Sequence, residues 1–276
     1  MPRYEYPSLR QGLVGCWVPS LGASGLTLID RSGRNAHGTL TNMGGQDNWR
    51  ASGSGVAINF DGTNDYGVVP SDSAYRFATG QSFTVSAWIY PAVSKNQSIL
   101  SFPLNGWDIY VSSANYLEWA KAGVANAGSS AATNAVTLNR WSHIAAKNIV
   151  GSTVEFFING ASVRTASFTS TYSYSQELRI GATQGVSVAG SPDLLAWNGA
   201  LDDIRIYNRD LTLAEIRLLA SRRGIGLSPL PDRAAGLPRK LSVNVGGTWR
   251  AADAYVNVGG AWKLAQASTN VAGTWR

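Results

Sequence analysis

Apolar and polar positions alternate along much of the first 220 residues. Val56, Ile58 and Phe60 alternate with small or polar residues, and Asp61 and Gly62 follow as a turn signal that predicts a hairpin. Phe83, Val85, Ala87 and Ile89 share one face of a predicted strand, while Thr84, Ser86, Trp88 and Tyr90 take the other. Residues 141–146 read as a further strand. Residues 154–160 run into Asn159 and Gly160, the strongest short hairpin signal available, and the chain returns through 161–166. Residues 178–181 and 201–207 add two more strands. Short alternating strands between Gly, Asn, Asp and Ser turns predict an all-β fold, an antiparallel two-sheet sandwich with one face of each sheet on a common core.

The pattern changes after Tyr207. Thr212 and Glu215 have capping-box spacing, and Leu213, Ile216, Leu219 and Ala220 then form one apolar stripe, so a single short helix is expected over 212–220. Pro229, Pro231 and Pro238 break both helix and central strand, which makes 221–240 a Pro/Gly/Arg linker. Past it lies a repeat. Val243-Asn-Val-Gly-Gly-Thr-Trp-Arg250 returns as Val256-Asn-Val-Gly-Gly-Ala-Trp-Lys263 and as Thr269-Asn-Val-Ala-Gly-Thr-Trp-Arg276, at 13-residue intervals. Gly-Gly accepts the positive φ of tight turns, so each unit is expected to be a β-hairpin with its Trp just beyond the bend. The expected organisation is a sandwich over 1–220, a linker over 221–240 and a hairpin segment over 241–276. That last segment is too small to bury much surface by itself, which implies contact with copies of itself or with something larger. Trp249, Trp262, Trp275, Arg250, Lys263 and Arg276 are its candidate interface residues.

Composition narrows the function classes. Charged residues are only 14% of the chain against roughly 25% in an average globular protein, which excludes a charged coiled coil, and 44% apolar content excludes disorder. The single cysteine, Cys16, rules out an internal disulfide framework and reads as a small buried hydrophobe. No stretch approaches a membrane span, and no secretory leader is legible, so assembly in a cytoplasm without membrane insertion is expected. The net charge of +6 is unevenly placed. Residues 1–220 carry 15 basic and 15 acidic residues, whereas 221–276 carry eight basic against two acidic. The excess is read as a solvated tail or as a docking segment for an acidic partner surface. Scattered cations without an accompanying motif argue against nucleic acid as the partner.

The ordered set Gly12-Leu-Val-Gly-Cys-Trp17, Asp30-Arg-Ser-Gly-Arg-Asn-Ala-His-Gly38, Ile58-Asn-Phe-Asp-Gly-Thr-Asn-Asp-Tyr66, Phe83-Thr-Val-Ser-Ala-Trp-Ile89, Trp141-Ser-His-Ile, Phe157-Ile-Asn-Gly160 and Gly199-Ala-Leu-Asp-Asp-Ile-Arg-Ile-Tyr-Asn-Arg209 resembles the laminin-G-like jelly roll of the concanavalin A-like lectin/glucanase superfamily. The C-terminal repeats resemble short repeats of bacteriophage tail and other virion proteins. Together these resemblances imply a non-enzymatic component of a tailed-phage virion: a head decoration, short fibre or tail appendage. Its jelly roll would face outward and its basic repeats would tether it to other virion proteins or to copies of itself. The alternative is a lectin-like module for cell-surface glycans.

The resemblance also implies calcium, at Asp30, Asn35 and Asp202. The ion takes six to eight hard oxygen ligands, although Arg31 and Arg34 in the same loop oppose a dication unless they point outward. The other use open to Asp30 and Asn35 is turn formation, their side chains bonding local backbone. Asp61, Asn64 and Asp65 are a second oxygen-rich cluster with an ordinary hairpin turn as its other reading. Trp107, Tyr110, Tyr116 and Trp119 are candidates for stacking on a sugar, with core packing the alternative. Catalysis is not expected: the superfamily's glycosidases resemble one another in a Glu-x-Asp-x-x-Glu motif that is missing here, leaving Glu118 and Glu155 as lone strand carboxylates. His143 is expected to be structural.

Overall fold

In the computed structural model, residues 6–44, 48–78, 80–122, 125–129, 136–149, 152–169, 171–183 and 195–227 are described, together with strands between 241 and 275. The chain divides into two compact units: Tyr4–Ser228, and Pro229–Arg276 with Met1–Arg3. The first is a sandwich of two antiparallel sheets, each eight-stranded among the described residues.

The first sheet runs β14 (Ala161–Ser167), β13 (Thr153–Ile158), β12 (Ser142–Ile149), β7 (Phe83–Pro91), β16 (Asn198–Tyr207), β5 (Val56–Asp61), β4 (Trp49–Ala51). β1 (Leu13–Trp17) pairs with β16 on the same side as β5. The second sheet runs β11 (Ala125–Ser129), β10 (Leu117–Lys121), β9 (Trp107–Val111), β8 (Gln97–Ser101), β15 (Leu178–Ile180), β6 (Tyr66–Val69), β3 (Gly38–Thr41), β2 (Thr27–Leu28). Phe83, Val85, Ala87 and Ile89 enter the inter-sheet core as their alternation requires. Asn159 (φ 50°) and Gly160 (φ 78°) close the β13–β14 hairpin. The turn at Asp61 and Gly62 differs from expectation. It bends the chain from one sheet to the other, because β5 pairs with β16 while β6 pairs with β3 and β15.

β16 organises the site described below. Its first half pairs with β5 and its second half with β1, and the register breaks between Asp202 and Arg205 where Asp203 takes φ 46°. An Asp tolerates that left-handed conformation better than most residues, and a bulge re-aims the side chains around it. Just before the bulge, Gly199 (φ 125°) passes so close to β7 that a Cβ would lie 2.0 Å from the Tyr90 carbonyl oxygen.

The helix α1 (Leu213–Ser221) has the expected capping box: the Glu215 N–H donates to Thr212 Oγ1 at 3.3 Å, and the Thr212 N–H donates to the Glu215 carboxylate at 2.9 Å. α1 lies on the outer face of the first sheet, where Ile216 and Leu219 join Leu9, Cys16, Phe157, Tyr207 and Ile225 in a second apolar cluster. Ile225 is buried and Arg223 half-buried against the sandwich, so this unit continues to Ser228 and the linker expected from 221 starts later. Residues 228–240 lie outside the described residues.

In the second unit three hairpins follow the repeat: β17 (Leu241–Val245) with β18 (Thr248–Ala252), β19 (Tyr255–Val258) with β20 (Ala261–Leu264), and β21 (Asn270–Val271) with β22 (Thr274–Trp275). Their registers coincide. Asn244 faces Trp249, Asn257 faces Trp262 and Asn270 faces Trp275, and the cations Arg250 and Lys263 stand opposite Val243 and Val256. Arg276 lies outside the described residues.

Candidate binding site

The implied calcium ligands have other work. Asp30 accepts four hydrogen bonds: Oδ1 from the Cys16 and Ser32 N–H groups (3.0 and 2.9 Å), and Oδ2 from Ser32 Oγ and the Ala36 N–H (2.7 and 3.0 Å). Four donors fill the acceptor sites of a carboxylate, so Asp30 has nothing left for a cation. Its own N–H donates to His37 Nδ1 at 3.0 Å, which closes the turn. Asn35 is an exposed turn residue at φ 60°. Asp202 is sealed on β16, accepting from the Ser20 and Asp203 N–H groups at 3.2 and 2.8 Å. Arg34 does turn outward, to Asp72 at 3.2 Å. Among the described residues no group of three or more His, Cys, Asp or Glu has the geometry to hold a metal. The residues present do not fit calcium, and Asp30 is a turn-locking residue instead. Replacing Asp30 with alanine is expected to lower unfolding free energy by about 1–3 kcal/mol, the cost of leaving buried donors unpaired. Urea denaturation measures this, and millimolar calcium should leave the midpoint of either protein in place.

The second oxygen-rich cluster is also a turn. Asp61 Oδ1 accepts from the Thr63 N–H at 2.7 Å, and Asp65 Oδ2 from the Asp61 N–H at 2.9 Å. Burial raises the Asp65 pKa.

Of the two uses open to Trp107 and Trp119, the structure shows core packing. Trp107 and Trp119 stack on each other in the core (5.8 Å between centroids, 14° between planes) and both adjoin Phe83. Trp119 Nε1 donates to the Tyr172 hydroxyl at 3.0 Å. Tyr110 is buried on the opposite face of its strand, and Tyr116 alone of the four is half-exposed. Aromatic residues at alternate positions pack inward here because the core needs their area.

Asp108 and Glu118 occupy adjacent strands of the second sheet, and burial pushes both pKa values up to about 7. Asp108 is 2% exposed and tied to Ser98 Oγ at 2.7 Å. An acid sealed in this way is poorly placed to protonate a glycosidic oxygen. An open depression of about 410 Å³ bordered by Arg76, Gln81 and Arg209 is no better equipped. Arg209 is committed to Glu215 at 2.7 Å, and Arg76 to Ser71.

A surface that sequence reasoning did not single out lies on the first sheet beyond the C-terminal end of α1. Trp88 and Tyr90 project outward from β7, because the alternate positions face the core. Trp88 reaches α1, its Nε1 donating to the Leu219 carbonyl at 3.2 Å. Tyr90 and Trp141 meet with ring centroids 5.6 Å apart and planes 57° apart. A guanidinium covers each ring: Arg50, from β4, lies 4.1 Å from the Tyr90 centroid, and Arg223 lies 3.7 Å from that of Trp141. All four residues are half-buried.

Arg223 is fixed by the Ser52 hydroxyl and carbonyl (2.6 and 3.2 Å), with Asp202 Oδ2 3.6 Å from its Nε. Beneath this surface Asp203 and Arg205 form a buried pair at 2.6 and 3.0 Å. Burial, aided by Asp203, raises the Asp202 pKa to about 6. His143, edge-on to Trp88 at 5.7 Å, has neither ring nitrogen hydrogen-bonded, and burial together with Arg205 lowers its pKa to about 3. The legible signal for this surface was two large aromatics, Trp88 and Tyr90, on the outward face of a strand with an apolar inward face. Its arginines come from distant segments.

Residues 61–217 match the model of a laminin-G-type family described as the concanavalin A-like lectin/glucanases superfamily. The chain belongs to this superfamily. Among curated proteins none matches it in sequence. Similar solved structures include the binding domain of Paraclostridial Mosquitocidal Protein 1 (TM-score 0.59, 18% identity, covering 77% of this chain and 52% of that one). Another, from work on ganglioside-dependent cell entry of botulinum neurotoxin type C, has a TM-score of 0.58 at 18% identity over 78% and 52% of the two chains. A third is domain 4 of AbnA, an extracellular arabinanase of Geobacillus stearothermophilus, in complex with arabinotriose (TM-score 0.55, 17% identity, 76% and 98% covered). The chain thus spans about half the length of the toxin chains it matches. At these identities the likeness establishes the jelly-roll fold. The superfamily hosts sugar binders, protein binders and enzymes, so function has to be argued from the site.

Proposed function

We propose that the chain is a non-enzymatic attachment protein of a tailed-phage virion, a head decoration, short fibre or tail appendage. The jelly roll is displayed outward, and 229–276 tether it to the particle or to sister copies. The observation that carries this reading is the identical register of the three hairpins, each an Asn opposite a Trp, in sheets of only two strands. An isolated two-stranded hairpin is marginal in water, and three alike invite a repetitive partner surface. The excess of six basic residues over two acidic ones in 229–276 fits an acidic face on that partner. Mass spectrometry of purified particles from the source tests it: peptides of this chain should persist through density-gradient purification, and their loss during purification would remove the reading.

A second reading, a carbohydrate-binding module for cell-surface glycans, is favoured by the Arg50–Tyr90–Trp141–Arg223 surface. The ligands of two similar structures, ganglioside for the toxin and arabinotriose for the arabinanase domain, lend it support. The two readings are compatible in one particle, where many copies give avidity without strong single-site affinity.

A further inference from the structure

We propose that the surface formed by Arg50, Tyr90 and Trp141 binds a saccharide bearing a carboxylate, its ring lying against the two aromatic side chains and its carboxylate on Arg50. This rests on the carbohydrate-binding reading and names its ligand class.

Arg50 is the reason. Among the described residues its guanidinium makes no hydrogen bond and no ion pair, and it stacks on Tyr90. The neighbouring cations Arg223 and, beneath it, Arg205 are committed, to Ser52 and to Asp203. A half-buried guanidinium has lost part of its hydration, and five N–H donors in a fixed fork match a carboxylate bidentately. Arg140, exposed and next to Trp141, adds charge at the rim, since the Asn139 N–H docks on the Pro91 carbonyl at 2.8 Å and brings that turn to the end of β7.

The aromatic half of the surface selects a sugar. Tyr90 and Trp141 are each covered on one face by a guanidinium and remain half-buried, so ring surface is still open to a ligand. Tilted aromatic rings of this kind suit the C–H faces of a pyranose, whereas an extended acidic peptide would use little of them. A nucleic acid is disfavoured on charge: the unit 4–228 carries 16 basic against 15 acidic residues, too small an excess to draw a polyanion. One carboxylate on one free guanidinium needs no such field.

The test uses the full chain and isothermal titration. Trigalacturonate and sialyllactose are the two carboxylated probes, galactotriose and lactose their neutral counterparts, and a glutamate-rich peptide and a single-stranded oligonucleotide the competing classes. At least one carboxylated sugar should bind about ten-fold or more tightly than its neutral counterpart, and Arg50→Ala should remove about that factor. Tyr90→Ala should weaken the same sugar, and Arg50→Lys should fall between. Because Arg50→Ala loses only a stack worth about 0.5–1 kcal/mol, its thermal midpoint should stay within a few degrees of the parent, which separates lost binding from misfolding. Carboxylated-sugar affinity left unchanged by Arg50→Ala, or equal affinity for the peptide or the oligonucleotide, would overturn the proposal. Neutral sugars binding as tightly as their carboxylated counterparts would overturn it while leaving the carbohydrate-binding reading intact. Silence from every sugar would remove both.

Discussion

Replacing Asp203 with alanine is expected to destabilise the jelly roll by about 3–5 kcal/mol, the usual cost of stripping one partner from a buried ion pair. Arg205 is fully buried, and its charge is tolerated because Asp203 accepts from its Nε and Nη2 and the Ile225 carbonyl accepts a further bond at 2.9 Å. Burial works against the Arg205 charge, yet the adjacent carboxylate holds the pKa well above its ordinary value. Asp203 also accepts from the Gly224 N–H at 2.8 Å, so its loss loosens the turn that carries Arg223. Two further variants separate charge from backbone. Asp203→Asn keeps a residue suited to φ 46° and loses only the charge, so it should fall between parent and alanine. Asp203→Ala combined with Arg205→Met removes both ions and should recover most of the loss. Urea denaturation gives all three, and an alanine variant within about 1 kcal/mol of the parent would show that the pair does not hold the β16 bulge.

The second large effect is a pH dependence with two opposed sources. The folded-state pKa of His143 is about 3, against an ordinary value of 6.5. The unfolded chain therefore binds the extra proton between those values, and His143 removes stability as pH falls from 6.5 towards 3. Asp108, Glu118 and Asp202 act the other way. Their folded pKa values of about 7, about 7 and about 6 exceed the ordinary 3.8, 4.5 and 3.8, so the folded state binds the extra protons and stability rises as pH falls through that range. At 1.4 kcal/mol per pKa unit each contribution is on the order of 3–5 kcal/mol, and with three acids against one imidazole the parent should gain stability on acidification, less steeply than the acids alone would give. His143→Phe removes one slope. The variant should gain stability on acidification from about pH 6.5 to 4 more steeply than the parent, by the slope of about one proton. It should be no less stable at neutral pH, because both imidazole nitrogens it discards are unpartnered. Thermal midpoints across that range decide the matter, and superimposable profiles would contradict the assignment.

How far the sequence disclosed this structure depends on whether the deciding contact was local. β7, the β13–β14 hairpin and α1 were legible because alternation, an Asn-Gly pair and a capping box are short-range signals that the fold preserves. The bend at Asp61 and Gly62 was legible as a bend, but the choice of partner strands is made by β16, β3 and β15, far away in sequence. Trp107 and Trp119 stayed open to a sugar or to the core, although Trp107, Ile109 and Val111 at alternate positions, and Leu117 with Trp119, already marked an inward face. The Asp30 loop was legible as a turn, while its four-donor saturation depends on Cys16, fourteen residues away on β1. The Arg50 surface needs β4, β7, the turn before β12 and the segment after α1 to converge, which no local pattern encodes.

The tether is tested most directly by comparing the full chain with one ended at Ser228, both offered to assembling particles in equal amount. The jelly roll closes on itself by Ser228, so the shortened chain should unfold at the same temperature as the parent's corresponding transition and yet enter particles at less than about a tenth of the parent's level. Equal incorporation of the two would mean that the hairpin repeats hold nothing in place.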